Sequence, residues 1–550
     1  GRGEERSQTH ELIPPRLAKH SFWIAKCAPI GGRTIIQRFE MDKTPWYKNA
    51  YFFQIYPRSF MDGNGDGYGD FVGIIQKLDY IKSLGIDCIW IQPIYPSPMA
   101  DDGYDISDFI NVDPHFGTLD EFKLLIDSIH DHGMKIIMDL VLNHCSDQHP
   151  WFQEARKDQN SKYRDYFVWS DTDQKYLETR IIFTDTQKSN WTWDEAAGQY
   201  FWHRFYPQQP DLNYDNPELR EEMKNVMRHW MKLGIDGFRA DAVPYLFERD
   251  GMNNENLPET HAFLKECRKL MDEEFPGSIL LCEANMWPQE VRPYFADGDE
   301  FQMGFHFPLM PRIYMSIGKQ NAESLVKILK ETPEIPENCQ WCTFLRNHDE
   351  LTLEMVTEED RQWMWNFYAP DKEMRKNLGI RRRLWPLLDN DPKKVALAYS
   401  MMLTMPGSPV FYYGDEIGMG DNIRLYDRNG VRTPMQWSAE KNGGFSTAEE
   451  TIMPVIDDPV YGYKTVNVAA QIDDPNSHLN MIKSLMAVRK ASEALCIGKF
   501  EWLINDDENV PVLAYARESD NDKVWVLQNM TDKEQQFVLD LPEGIYTDLN

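Results

Sequence analysis

The sequence predicts an α/β protein: a (β/α)8 TIM barrel with an inserted subdomain after strand three and a C-terminal antiparallel β-domain. Short apolar runs alternate with amphipathic helical segments from Tyr51 to Tyr413, as expected for a barrel of eight parallel strands. Residues 145–210 break this rhythm with polar and aromatic sequence, and so long a break indicates an inserted subdomain. After Lys490, short strand-like runs separated by turns replace the helices.

Eight segments are predicted as barrel strands because each is short, apolar and bounded by Gly, Pro or polar residues. A doubly wound open sheet is the alternative, but no Gly-x-Gly-x-x-Gly motif follows the first strand to favour it. The predicted strands are Tyr51–Tyr56, Cys88–Gln92, Lys135–Val141, Gly237–Ala240, Ile279–Cys282, Met303–His306, Cys342–Leu345 and Pro409–Tyr413.

Apolar residues recur at three- or four-residue spacing between these strands, which indicates helices with one buried face. Gly133 follows one such segment as a helix-ending residue. The clearest predicted helices are Ile74–Leu84, Leu119–His132, Pro217–Leu233 and His478–Lys490.

These patterns divide the chain into four parts. The barrel occupies residues 45–144 and 211–490, the inserted subdomain residues 145–210, and the β-domain residues 491–550. Residues 1–44 do not begin with Met, and we expect an extension that is disordered or was added for expression. We also expect the β-domain to lack its last strand. Its predicted strands are Phe500–Leu503, Val512–Tyr515, Val524–Leu527 and Gln536–Leu539.

Composition restricts the partners. The chain has 58 Lys and Arg against 88 Asp and Glu, a net charge of −30, which disfavours nucleic acids and anionic membranes. No apolar run reaches the roughly 18 residues of a membrane-spanning helix.

Eight scattered Cys favour a reducing, cytoplasmic location. Cys88 and Cys282 lie in apolar strand-like runs and are predicted as reduced core residues. Cys339 and Cys342 have metal or redox spacing, but no second pair accompanies them, which disfavours a zinc or redox site.

Three carboxylates stand at the ends of predicted strands four, five and seven: Asp241, Glu283 and Asp349. Because barrel strands end at one mouth, we expect them to share a pocket. Three acids there can protonate a leaving group, attack a sugar carbon and stabilise a cationic transition state. Ion pairs at the barrel mouth are the structural alternative.

The neighbours of these acids suggest separate roles. Arg239 precedes Asp241 by two residues and, on an extended strand, faces the same side; a guanidinium lowers a carboxyl pKa, which suits a nucleophile. The apolar residues before Glu283 would raise its pKa, which suits a general acid. His144 and His348 follow strands three and seven, where their N–H groups can hold sugar hydroxyls.

Oxygen-bearing side chains alternate with Gly in the loop after strand one. This spacing resembles the start of a calcium loop, although the bidentate Glu at its twelfth position is absent. A solvated turn is the alternative. We predict a structural Ca²⁺ or Mg²⁺ held by Asp62, Asn64, Asp66, Tyr68 and Asp70.

The sequence resembles the α-amylase family of retaining glycosidases and transglycosidases. The resemblance implies that Asp241 is the nucleophile, Glu283 the acid/base and Asp349 the transition-state stabiliser. It also implies that Asp105, His144, Arg239 and His348 hold the sugar. The matching motifs are Asp139–His144, Gln209–Asn213, Gly237–Asp241, Glu283, Asn347–Asp349 and the aromatic–acid pair in Gly103–Asp105.

Longer blocks narrow the resemblance to the branch of this family that interconverts maltose and trehalose: residues 346–355, 378–383, 414–422 and 430–437. This implies an isomerase, an intramolecular transglucosidase that acts through a covalent β-glucosyl enzyme and hydrolyses slowly as a side reaction. Glu350 and Glu354 have a solvated helix face as their alternative. The additional sugar-binding residues implied are Tyr245, Asn285, Glu350, Glu354 and Arg432.

The resemblance further implies a second Ca²⁺ on Asn143, Asp211, Glu248 and the carbonyl groups of Tyr245 and Leu246. We expect no organic cofactor. The expected partners are disaccharides (maltose and trehalose) and other copies of the chain in a homo-oligomer, with no nucleic acid and no membrane. Some relatives carry a kinase domain, which we expect to lie beyond residue 550 if it is present here.

Two alternative functions stay open. An α-glucosidase or oligo-1,6-glucosidase that hydrolyses short α-glucosides has the same fold and acids. A non-enzyme, like the amylase-like subunits of amino-acid transporters, needs no intact set of acids and carries a membrane helix. This chain keeps all three acids, which favours an enzyme.

Overall fold

The computed structural model describes residues 16–27, 44–505, 508–539 and 546–549 of the 550-residue chain. Its centre is a closed barrel of eight parallel strands, in which each strand pairs with the next and the eighth pairs with the first. The predicted barrel is therefore confirmed. We number its strands β1 Phe52–Ile55, β2 Cys88–Ile91, β3 Lys135–Val141, β4 Gly237–Asp241, β5 Ile279–Cys282, β6 Met303–Phe305, β7 Gln340–Phe344 and β8 Ser408–Tyr412.

Helices surround the barrel and end with the signals that the sequence contains. Asn216 caps the helix Pro217–Leu233 by accepting from the backbone N–H of Glu218, and Gly234 ends it in the left-handed conformation. The predicted helix Ile74–Leu84 is instead two helices, because the backbone at Lys77 leaves helical geometry. The longer helices include Leu119–Asp131, Pro258–Glu274, Leu309–Lys319, Glu323–Glu331, Glu358–Tyr368, Pro392–Thr404 and His478–Lys490.

In the described parts of the chain, no helix combines the length and the apolar character needed to cross a membrane. Cys339 and Cys342 are buried at β7, and neither is bonded to another Cys.

The segment between β3 and β4 contains a small antiparallel sheet whose strands are Trp169–Ser170, Gln199–Trp202 and Trp191–Asp194. We call residues 145–210 the inserted subdomain. A backbone bridge between His144 and Asp211 brings the two flanks of the insertion together, and a second bridge joins Phe167 of the subdomain to Leu212 of the chain that follows it.

Two further excursions were not predicted from the sequence. After β7, residues 351–380 form a three-stranded sheet of Leu351–Thr352, Gly379–Ile380 and Arg375–Lys376. After β8, residues 415–467 run through short 3-10 turns and irregular chain before the next helices. Both excursions start at the carboxyl ends of barrel strands, so they lie at the mouth where the predicted acids meet.

The C-terminal sheet corrects two predictions. Phe22–Cys27 pairs with Lys523–Asn529 as one of its strands, so this part of the predicted N-terminal extension belongs to the fold; residues 1–15 and 28–43 lie outside the described residues. The predicted strand Gln536–Leu539 is wrong, since only Gln535 forms an isolated bridge, to Leu17. The sheet order is Lys499–Trp502, Val512–Glu518, Lys523–Asn529, Phe22–Cys27 and Tyr546–Asp548.

Candidate active site

The three predicted catalytic acids line one cavity at the carboxyl ends of the barrel strands. Asp241 is the last residue of β4, Glu283 follows β5 directly, and Asp349 lies in the loop after β7. We call these three residues the floor of the cavity. The parallel strands place them together although more than 100 residues separate Asp241 from Asp349.

Arg239 contacts two of the three floor acids, Asp241 and Glu283. Its Nη1 donates to Oδ1 of Asp241 at 2.8 Å, and its guanidinium also contacts Asp139 and Glu283. The side chain is fully buried and lies over the ring of Trp90 at 5.0 Å. Arg239 does not line the cavity itself; it holds the two carboxyls that do.

Burial, more than Arg239, sets the protonation of the two linked acids. Burial raises the pKa of Glu283 well above its usual range, although Arg239 opposes the shift. Burial also raises the pKa of Asp241 to about 6 against the same guanidinium. The sequence predicted the direction for Glu283. For Asp241 it predicted a lowered pKa, and this is wrong because desolvation outweighs the charge of Arg239.

The surroundings of Asp349 shift its pKa in the opposite direction, downward. Burial alone would raise its pKa, but the guanidinium charges of Arg428 and Arg432 outweigh it and lower the pKa well below its usual range. Nη1 of Arg428 donates to Oδ1 of Asp349 at 2.7 Å, and Nη2 of Arg432 donates to the same oxygen at 3.2 Å. The floor therefore contains one acid that favours its proton and one that stays ionised.

Two neutral histidines border the acids. Burial lowers the pKa of His348 well below its usual range and lowers that of His144 to about 3. Gln54 donates to Nδ1 of His348 at 2.7 Å, so the proton of this ring is on Nε2. That nitrogen lies 2.9 Å from the hydroxyl of Tyr104, whose ring stacks on the imidazole.

The structure does not place Asp105 in the cavity. Its carboxylate accepts hydrogen bonds from Ser97 Oγ and from the backbone N–H groups of Ala100 and Asp101. Asp101, four residues earlier, lines the cavity and pairs with Arg428 at 2.7 Å. Asp101 is therefore the acid that this loop contributes, and Asp105 fixes the loop's shape.

The inserted subdomain covers the floor with apolar side chains: Ile182, Phe183 and Phe205. The ring of Phe205 makes edge contacts with His144 and Tyr245, and Phe183 lies against Arg428. We call Ile182, Phe183 and Phe205, together with residues 351–380 after β7, the roof of the cavity.

Polar groups from two loops complete the side of the cavity next to the roof. Asn285 donates to Thr352 at 3.0 Å, while its own side-chain oxygen is buried without a hydrogen-bond partner among the described residues. Tyr245, Glu350 and Glu354 line the same region. The solvated-helix alternative for the two glutamates is wrong, because they flank the strand Leu351–Thr352 and face the cavity.

Ion pairs fasten the roof. Arg180 of the inserted subdomain pairs with Glu354 at 3.2 Å and with Glu255 at 2.7 Å. Asp185 accepts from the backbone N–H of Asn377 at 2.7 Å. The inserted subdomain and the loop after β7 thus meet over the acids.

Several site residues were missed from the sequence. Tyr104 stood inside the motif Gly103–Asp105, and Asp101 lies two residues before that motif. Arg428 and Phe183 carry no sequence signal, because their positions depend on how the long loops fold back. Arg432 was predicted to bind sugar; it lies behind the cavity lining and instead holds Asp349 and Asp102.

A family model described as the alpha amylase catalytic domain matches residues 54–369 and 381–498. The chain belongs to the alpha-amylase family. The predicted family is thus confirmed, and the matched residues include all three acids of the floor.

Comparisons with individual proteins show which members of the family the chain resembles. The chain is 54% identical to a trehalose synthase/amylase of Mycobacterium tuberculosis over 507 residues, which is 90% of this chain and 84% of the relative. It is 49% identical to a trehalose synthase of Pimelobacter sp. over 91% of this chain and 90% of the relative. Among solved structures, a trehalulose synthase from Pseudomonas mesoacidophila aligns with TM-score 0.72 and 30% identity, over 88% and 91% of the two chains. These relatives confirm the resemblance to trehalose synthases.

Of the two cation sites predicted for this member of the alpha-amylase family, one has a matching feature. Asn143, Asp211 and Glu248 each have a buried side-chain oxygen without a hydrogen-bond partner among the described residues. Burial raises the pKa of Asp211 to about 8 and that of Glu248 well above its usual range. Unpaired buried oxygens of this kind suit a hard cation.

The loop after β1 offers no such feature. Asp62 accepts from the backbone N–H groups of Gly65 and Gly67 at 2.7 and 2.8 Å, and Asp70 caps the next helix. Asn64 and Asp66 likewise accept from backbone N–H groups two residues on. In the described part of the chain, no cluster of three or more His, Cys, Asp or Glu is arranged to hold a metal. The cation on Asp62, Asn64, Asp66, Tyr68 and Asp70 stays a prediction.

Proposed function

We propose that this protein interconverts maltose and trehalose by moving a glucosyl group within one closed cavity. The observation that carries the proposal is the roof over the three acids, since an isomerase must keep its freed glucose while a hydrolase must admit water. Similarity to trehalose synthases over most of the chain supports the same substrates.

In the first step, Glu283 protonates the glycosidic oxygen of maltose and Asp241 attacks the anomeric carbon. The bond to the leaving glucose breaks, and a β-glucosyl ester forms on Asp241. The raised pKa of Glu283 supplies the proton at neutral pH, and an Asp241 with a pKa of about 6 is mostly ionised there. The two carboxyls, both bound to Arg239, suit this pair of roles.

In the second step, the freed glucose turns and its anomeric hydroxyl attacks the glucosyl ester. Glu283 takes the proton of that hydroxyl, and the bond to Asp241 breaks. Two inversions give net retention, hence an α,α-1,1 link. Asn285, Glu350 and Glu354 line the region in which the second glucose turns.

Asp349 stabilises the positive charge that develops on the sugar ring, because Arg428 and Arg432 keep it ionised. Neutral His348 donates through Nε2 to a sugar hydroxyl, and Asp101 accepts from another. Arg239 holds the floor in place throughout. Preoriented groups of this kind stabilise a transition state without reorganising during the reaction.

We also propose a structural Ca²⁺ at Asn143, Asp211 and Glu248. The ion would join the end of β3, the end of the inserted subdomain and the turn after β4, and it takes no part in the chemical steps. Its removal should lower the melting temperature by several degrees, since a ligand at about 100 times its Kd stabilises by roughly 2.7 kcal/mol.

Calorimetry with a chelator and with added Ca²⁺ or Mg²⁺ checks this. Asn143→Ala should abolish the ion-dependent shift, and Asn64→Ala is the matched control in the loop after β1. A shift that Asn64→Ala removes and Asn143→Ala leaves would contradict the assignment.

The product mixture from maltose tests the proposed function. The protein should give trehalose as the main product with little glucose, and it should give maltose from trehalose. Mainly glucose with no trehalose would instead establish an α-glucosidase or oligo-1,6-glucosidase. An Asp241→Ala variant with unchanged turnover would exclude the proposed chemistry altogether.

Three further predictions await measurement: a cytoplasmic location, assembly into a homo-oligomer and activity without an organic cofactor. Cell fractionation, light scattering and assay of the dialysed protein address them in turn.

A further inference from the structure

A second groove lies on the other side of the loop that follows β5. It encloses about 340 Å³ between Trp287 of that loop, the helix Leu309–Lys319 and the helix Glu323–Glu331. None of its lining residues lines the catalytic cavity. Its chemistry is that of a binding site that the catalytic mechanism does not use.

Arg312 lies at the base of this second groove. The residue is only 6% exposed, and Nη1 donates to the carbonyl groups of Pro308 and Met355 at 2.7 and 2.8 Å. Among the described residues, Nε and Nη2 make no hydrogen bond and the guanidinium makes no ion pair. A buried guanidinium normally has a carboxylate partner, because burying its charge is costly. Its remaining donors point to an occupant of the groove.

The wall offers an aromatic face and further polar atoms. The ring of Trp287, half-buried, lies 5.2 Å from the guanidinium of Arg312. The hydroxyl oxygen of Ser324 is buried and has no hydrogen-bond partner within the described chain. Glu331, at the rim, makes no ion pair in the part of the chain that the structure describes. An apolar face beside separate donors and acceptors is the composition of a small-molecule site.

The balance of charge selects the kind of ligand. Lys319 pairs with Asp360 at 2.6 Å, and Lys327 pairs with Glu323 at 2.5 Å. Arg312 and Glu331 then offer one donor group and one acceptor group of opposite charge. An anion would meet Glu331, and a cation would meet Arg312. A neutral polyhydroxylated ring can use both while it stacks on Trp287.

We propose that this groove is an accessory site for a neutral glucoside. The inference rests on the groove itself and not on the proposed isomerisation. Trp287 lies two residues from Asn285, and Arg312 holds the carbonyl of Met355 beside Glu354. A bound sugar would therefore contact the outer side of two loops whose inner sides line the catalytic cavity.

Calorimetric titration of the full chain with trehalose tests the site. Glu283→Gln serves as the background, because it slows turnover by orders of magnitude and leaves the groove intact. We expect two binding events. Adding Glu331→Gln should weaken one of them about tenfold, the size of one lost hydrogen bond to a charged group. Trp287→Phe should weaken the same event, because the smaller ring offers less stacking area to the sugar. Melting temperatures confirm that both variants fold.

Glu273→Gln, an exposed carboxylate on the helix Pro258–Glu274, is the matched control and should change neither event. A single binding event that Glu331→Gln and Trp287→Phe leave unchanged, or two events that neither variant changes, would overturn the proposal. Inorganic phosphate is titrated in parallel. Phosphate binding that Arg312→Lys weakens, together with a single trehalose event, would also overturn it by establishing an anion site.

Discussion

The floor of the cavity is built from the ends of barrel strands, whereas its roof comes from long loops. The floor acids are held by short ion pairs to buried Arg239, Arg428 and Arg432. The roof is held by aromatic contacts and by pairs such as Arg180–Glu354, in which Arg180 is 38% exposed. The floor is therefore rigid and electrostatically strong, and the roof is fastened by weaker, partly solvated contacts.

This difference separates two properties that one cavity must combine. The floor fixes which bond breaks, because burial sets the protonation of Glu283 and the buried guanidinium groups keep Asp349 ionised. The roof fixes which acceptor reaches the glucosyl ester, because it decides whether water enters or glucose leaves. Substitutions in the floor should therefore change the rate for every acceptor, and substitutions in the roof should change the ratio of products.

The largest expected effect comes from Glu283→Gln. Loss of the proton donor should slow turnover of maltose by about 10²–10⁴-fold, the usual contribution of a general acid. α-Glucosyl fluoride, whose leaving group needs no proton, should still glucosylate Asp241 at close to the normal rate. Steady-state and single-turnover rates with both substrates check this.

Asp241→Asn is the counterpart, and it should abolish reaction of both substrates because no ester can form. Equal slowing of maltose and the fluoride by Glu283→Gln would contradict its assignment as the acid and would weaken the separation of roles within the floor.

The pH dependence of the rate tests the floor next. Asp241 must be ionised to attack, and its pKa is raised to about 6, so kcat/KM should fall about tenfold per unit as the pH drops below about 6. An ordinary aspartate would lose activity only near pH 4. The raised pKa of Glu283 moves the other limb of the profile to higher pH than an ordinary glutamate would give.

Roof substitutions such as Phe183→Leu should leave both limbs in place, because they touch neither proton. A profile that stays flat down to pH 4 would show that Asp241 is less desolvated than its burial indicates.

The same division decides how much could be predicted from the sequence. The floor was predictable because an acid at the end of an apolar strand is a local signal, and the barrel brings such ends together. The roof was not, since Arg180 and Glu354 lie 174 positions apart and Asp185 and Asn377 lie 192 apart. Nothing in the local sequence specifies how irregular loops meet.

Two features that the sequence analysis missed show what local sequence does not specify. Asp101 and Asp105 lie four residues apart, but Asp102 and Gly103 both have positive φ and turn the chain between them. Residue type alone therefore cannot say which carboxylate faces the cavity. Phe22–Cys27 was missed as a strand because its partner, Lys523–Asn529, is some 500 residues away. Pairing at that distance leaves no periodic trace beyond the strand's own apolar residues.

The smallest expected effect tests the roof. Arg180→Ala removes the pairs with Glu354 and Glu255, and partly exposed pairs are worth roughly 0.2–1 kcal/mol, or about two- to fivefold in rate. Water should reach the glucosyl ester more often, so the ratio of glucose to trehalose should rise by about that factor while the total rate of maltose cleavage stays similar.

Arg156→Ala is the matched control, since Arg156 also belongs to the inserted subdomain and pairs with Asp194 away from the cavity. Chromatography of products at early times gives the ratio for both variants. Arg156→Ala could instead raise the ratio as much as Arg180→Ala does. In that case general loosening of the subdomain would control the entry of water, and the Arg180 contacts over the acids would not.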